Sequence, residues 1–193
     1  MASVSFAFDA DRPAAIRAAE RLAAKLVKDV SDETRAALRA MIVRAIREKI
    51  PPFEIARVIR SSIGMHSRDA MAALTFREHL VNQGLRSDRV DTLYARYVAR
   101  KIRERAKTIA RTEILGSLNA GVEESFLQAR RDGLLGNDAQ KEWITTADDI
   151  TCPICLPLDG QRVPIAESFS TSLGPRKAPP VHPRCRCTLG GVP

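Results

Sequence analysis

The chain has 193 residues, 45% apolar and 28% charged, with a formal net charge of +8. That apolar share excludes a globally disordered chain, and the low aromatic content of 5% points to an interior of Ala, Leu, Ile and Val, the usual material of helix packing. No window of 18 consecutive apolar residues is present, so no membrane span is expected. The start, "MASVSFAFDADRP", lacks the regions of a secretory signal, so synthesis in a cytosol that keeps thiols reduced is expected.

The first predicted helix is "DRPAAIRAAERLAAKLVKD", with Asp11 as N-cap, Pro13 in its first turn and Ile16, Leu22, Leu26 and Val27 as its apolar positions. A second follows Ser31, where Asp32 and Glu33 suit the positive helix end and Leu38, Met41 or Ile42, and Ala45 or Ile46 form the stripe. Pro51 and Pro52 open a short helix that Gly64 is expected to close. "SRDAMAALTFREHLVNQG" predicts another, capped by Ser67, with Met71, Leu74 and Leu80 on its buried face and Gly84 as its stop. A longer helix runs from about Ser87 well past Arg111. Val98, Ile102, Ala106 and Ile109 form its core stripe, continued by Ile114, Leu118, Val122 and Phe126.

Within that helix stand Arg96, Arg100, Lys101, Arg103, Arg105 and Lys107, with Glu104 the one acid among them. Residues 1–110 hold 22 Lys and Arg against 13 Asp and Glu, while residues 111–193 hold 9 against 10. The split suggests an acidic partner for the first region, either nucleic acid or an acidic protein surface; a merely solvated face is the alternative. Beyond Tyr97 at its start no aromatic is interleaved, so DNA contact there would be non-specific and made to phosphates.

After Gly133 the chain changes character. Residues 143–146 are β-prone, Asp159-Gly160 signals a turn before a second short β-prone run, and residues 167–183 read as loop. The expected fold is therefore mainly α: a basic helical region over 1–110, then a module over 111–193 that joins the end of the long helix to a small α+β unit, a short β-hairpin and a metal-clamped loop. Trp143 is the expected core anchor of that unit.

All four cysteines lie in the last 42 residues. Cys152 and Cys155 form C-x2-C; after 26 residues come His182, Cys185 and Cys187 as H-x2-C-x-C. Two such turns meeting on one ion make a four-coordinate structural zinc site, worth roughly 10–16 kcal/mol in small modules, enough to hold a loop that has no apolar face. Five donors compete for four places. The preferred set is Cys152, Cys155, His182 and Cys185, with Cys187 as alternative to His182. Disulfides and buried free thiols are the rival readings.

No catalytic residue is assigned: the zinc-deaminase and H-E-x-x-H patterns are absent, and no nucleophile–base pair stands out. Asp148 and Asp149 could bind a second metal, but such a doublet more often caps a turn. His66 and His79 read as ordinary surface or core residues.

"ARTEILGSLNAG", "KEWITTADDITCPICLPLDGQRV" and "PPVHPRCRC", in that order and covering about 80 residues, resemble the phage head morphogenesis family, the Mu F-like minor head proteins of tailed bacteriophages. The resemblance implies a structural minor capsid protein present in few copies, located in the virion head interior near the portal after assembly in the host cytoplasm. It would aid head assembly and the handling or ejection of packaged double-stranded DNA. Its partners would be the portal protein, other head proteins and non-specifically bound DNA, with no membrane. No enzymatic activity is implied, and the chain is expected to lack the fused toxin or transferase domains of some relatives and a portal-binding N-terminal extension. Arg111, Thr112, Glu113 and Asn119 match a family motif that would pin the helix to the metal loop, with Arg111 pairing with Asp148 or Asp149; partly exposed helix positions are the alternative. The competing functions are a zinc-containing DNA-binding protein and a metal-dependent nuclease or transferase.

Overall fold

A computed structural model of the chain describes Pro13, Arg17, Ala18, Arg21, residues 30–146, Asp148 and residues 150–192. The helix expected from Asp11 lies mostly outside these residues, as does Asp149. Helix α1 spans Asp32–Arg47, and the Ser31 side chain caps it by accepting the Thr34 N–H at 3.2 Å. Its buried face is Leu38, Ile42, Ala45 and Ile46, at the expected spacing. Helix α2, Pro52–Ile59, begins at the proline pair but stops before Gly64, which closes nothing; the chain turns over residues 60–62 instead.

Helix α3, Ser67–Asn82, departs from the expectation in two ways. His66, not Ser67, is its cap, its Nδ1 accepting the Arg68 N–H at 3.3 Å. The buried face is Ala73 with Leu80, and Met71 and Leu74 are exposed. The helix turns its small residue inward, which lets it approach α4 closely while Phe76 stacks on Tyr97 with ring centroids 4.6 Å apart. Gly84, at φ 73°, ends it as expected.

Helix α4, Ser87–Arg131, is 45 residues long, about 68 Å at the usual rise. Its middle turns supply Ala106, Ala110 and Ile114 to a core shared with α1 and α2. Its last turns supply Phe126 to a second core built around Trp143, Leu158, Ile165, Phe169 and Leu189. The helix runs unbroken through residue 110, and both cores use it. Among the described residues no helix is long and apolar enough to cross a membrane.

The second core is floored by a three-stranded antiparallel sheet in the order β2–β1–β3, where β1 is Gln140–Ile144, β2 Arg162–Pro164 and β3 Thr188–Val192. β1 lies earlier than residues 143–146 because Asp159 Oδ1 accepts both the main-chain N–H and the hydroxyl of Thr145, at 2.8 and 2.9 Å, and turns the chain out of the sheet. Gly160, at φ 71°, makes the turn before β2. Trp143 is fully buried and meets Phe169 edge-on at 5.2 Å, as its anchor role requires. β3 was hidden by its composition, since "TLGGV" is a poor strand sequence. Its glycines are there for clearance: a Cβ on Gly191 would stand 2.8 Å from Phe126 Cζ.

Candidate metal centre

Two tight turns carry the donors, and each is closed the same way. The Cys155 N–H donates to the Cys152 carbonyl at 3.0 Å, and the Cys185 N–H donates to the His182 carbonyl at 3.2 Å. C-x2-C and H-x2-C are thus the same knuckle built twice, the second helped by Arg184 at φ 63°.

The knuckles face each other. His182 Nε2 lies 3.1 Å from both Cys152 Sγ and Cys155 Sγ, and Cys155 Sγ lies 3.7 Å from Cys185 Sγ. Cys152, Cys155 and His182 form one group of converging donors and Cys155, Cys185 and Cys187 another, so Cys155 belongs to both. A tetrahedral ion with sulfurs at about 2.3 Å sets its ligands about 3.8 Å apart, and the Cys155–Cys185 separation fits that edge. It is far beyond a disulfide bond of about 2.05 Å, and all four cysteines are free thiols. The His182 Nδ1–H donates to the Pro183 carbonyl at 2.7 Å, which leaves Nε2 bare toward the sulfurs, the usual arrangement of a metal-binding imidazole. The five donors line a cavity of only about 40 Å³, room for an ion and not for a substrate.

Electrostatics within the cluster are uneven. A hydrogen bond from Cys187 holds the Cys185 thiol down to about 5, although burial opposes it. Burial pushes Cys155 up to about 12. Cys187 is also raised, first by its bond to Cys185 and then by burial. Burial works against ionisation of Cys152 too, but the main-chain N–H groups of Cys155 and Ile154 hold its thiol below the usual value. His182 is raised despite burial, by the Pro183 carbonyl and the neighbouring sulfurs.

Helix α4 grips the second knuckle on both sides. Thr112 Oγ1 accepts the Arg184 N–H at 3.0 Å, just before Cys185. Two turns later on the same face, Asn119 donates to the Cys187 carbonyl at 3.2 Å and accepts the Leu189 N–H at 3.0 Å. Thr112, Glu113 and Asn119 are buried, whereas Arg111 is exposed. The expected Arg111–Asp148 pair is not formed, because Asp148 holds Arg186 through both carboxylate oxygens. That bond keeps the Asp148 carboxyl below its usual value. Asp148 also accepts from Thr151 and the Ile150 N–H, so it caps the turn leading into Cys152.

Three contributors were not singled out in the sequence. Arg184 extends from the knuckle to Thr108 Oγ1 at 2.7 Å and Glu104 at 3.4 Å, and Arg186 secures Asp148. Lys141 is fully buried in β1, its Nζ 2.8 Å from both Glu123 Oε1 and the Lys177 carbonyl. The signal for the two arginines was their place in and just after the second knuckle, and that for Lys141 its place two residues before Trp143 in the segment that carries the family resemblance.

The basic run of α4 is partly occupied by the protein itself. Lys101 pairs with Asp69 at 2.8 Å, Arg105 donates to the Gly64 carbonyl at 3.0 Å and Lys107 pairs with Glu104 at 3.1 Å. Arg100 lies 5.0 Å from the Tyr97 ring centre, and Arg96 and Arg103 are exposed. His79 sits beside Gln83 on the surface of α3.

Residues 19–190 match the model of a protein family described as phage Mu protein F like. No curated protein and no solved structure matches the chain.

Proposed function

The chain belongs to the phage Mu protein F like family of phage head morphogenesis proteins, and from that premise we propose that it is a structural minor component of the head, held near the portal and aiding assembly and the handling or ejection of packaged DNA. Its C-terminal module is closed by one Zn2+ on Cys152, Cys155, His182 and Cys185, with Cys187 beside them in reserve. When bound, the ion supplies a cross-link between the two knuckles; the chain's own residues do the rest. Thr112 and Asn119 hold the second knuckle to α4, and Asp148 with Arg186 braces the first against it. The observation that carries this reading is the convergence of both knuckles on Cys155, latched to a helix that also builds the other core.

A structural role is favoured over a catalytic one by the small size of the donor cavity and by Asp148, whose oxygens are committed to Arg186. Mass spectrometry of purified heads tests the assignment. The protein should be present at a few copies per particle, and its absence from heads that package DNA normally would overturn the reading.

A further inference from the structure

Of the four thiols, Cys155, Cys185 and Cys187 are buried, and Cys152 alone is half-buried. It stands on the outward knuckle, where Ile150 and Leu156 on either side are 74% and 61% exposed. The number of donors decides what loss the centre survives. Without Cys152, the group of Cys155, Cys185 and Cys187 is intact and His182 Nε2 still lies 3.1 Å from Cys155 Sγ, so four donors remain. Without Cys152 and Cys155 together, three remain and no residue joins the two groups, whereas structural zinc takes four ligands.

We infer that Cys152 is an oxidation site through which peroxide opens the metal centre, Cys155 closing on it as a disulfide while the ion leaves. The inference rests on the zinc reading above and adds its regulation. Access selects the sulfur, since the oxidant reaches Cys152 before the three buried thiols. The Cys152 sulfur breaks the O–O bond and keeps one oxygen as a sulfenic acid, and the other leaves as water. The Cys155 sulfur then attacks that of Cys152; the S–S bond forms as the S–O bond breaks, and a second water leaves. Two coordinated thiolates, one peroxide and two protons thus give one disulfide and two waters, with sulfur oxidised and peroxide reduced. Cys152 and Cys155 end one hydrogen-bonded turn, which holds their Cα atoms within about 7 Å, the reach of a disulfide. Cys187 is the reserve donor that lets the centre tolerate a damaged Cys152 but not a bridged pair. The clamp is thereby closed in a reducing cytosol and opened where thiols oxidise.

The test adds hydrogen peroxide stepwise to the full zinc-loaded chain while a chromophoric chelator reports free zinc and peptide mass spectrometry locates disulfides. The parent should release about one zinc for each disulfide formed. That disulfide should join Cys152 to Cys155, and reductant with added zinc should restore the loaded chain. Cys152→Ser should keep about one zinc and, under peroxide, release it about tenfold more slowly. Cys152→Ser with Cys187→Ser should hold none. A parent that holds no zinc overturns the zinc reading and this inference with it. This inference alone is overturned if the loaded parent keeps its zinc under peroxide or forms its disulfide elsewhere. It is likewise overturned if Cys152→Ser loads no zinc, or loses it as fast as the parent.

Discussion

At Asn119 one buried side chain answers two main-chain groups that would otherwise be stranded at the entrance to β3, the Cys187 carbonyl and the Leu189 N–H. Each buried group left unpaired costs about 1–3 kcal/mol, so Asn119→Ala should lower unfolding free energy by roughly 3 kcal/mol. Thr112→Val, which strands only the Arg184 N–H, should cost less; urea denaturation of the two variants gives the comparison. The thiols make a second prediction at this scale. Near neutral pH the Cys185 thiol, held down to about 5, is already ionised, whereas Cys155, pushed up to about 12, is not. Metal binding must therefore expel at least the Cys155 proton. Affinity should tighten as pH rises through neutrality and fail on acidification, and calorimetry in buffers of different ionisation enthalpy should register the released proton. Invariance across buffers would refute this assignment. The cysteine–histidine spacing made these donors legible in the sequence. Asp148 was legible as a turn cap but not as the partner of Arg186, since a salt bridge across 38 positions leaves no local trace.

Among the elements, α1, α4 and the Gly84 stop could be read from periodicity and capping chemistry, because those signals are local. Ser31→Ala should therefore cost about 1 kcal/mol through loss of the α1 cap. α3 shows where local reading fails. Its pattern admits two apolar faces, and only packing against α4 selects Ala73 over Met71 and Leu74. β3 shows the converse, a strand whose sequence opposes it. Gly190 and Gly191 are present because Ile144 and Phe126 occupy the space a Cβ would need. Gly191→Val should disrupt β3 against α4, with an overpacking cost of about 1–3 kcal/mol or more and a loss of strand signal in amide exchange. A neutral result would mean that α4 and the sheet are not packed this tightly.

For the whole molecule, one helix joins two cores of different character. The core near α1 and α2 is aliphatic and depends on burial alone, whereas that of the sheet includes Cys155, Cys185 and Cys187 among its buried members. Chelation should accordingly loosen residues 132–192 first, leaving α1, α2 and the first half of α4 protected. Limited proteolysis with and without chelator would show cleavage confined to the C-terminal side. The central claim is that a single ion closes the two knuckles through Cys155. Elemental analysis of the purified protein beside Cys155→Ser tests it most directly. The parent should carry about one zinc per chain and the variant none, with its C-terminal module unfolded. A parent that is folded and metal-free, or a variant that keeps its zinc, would contradict it.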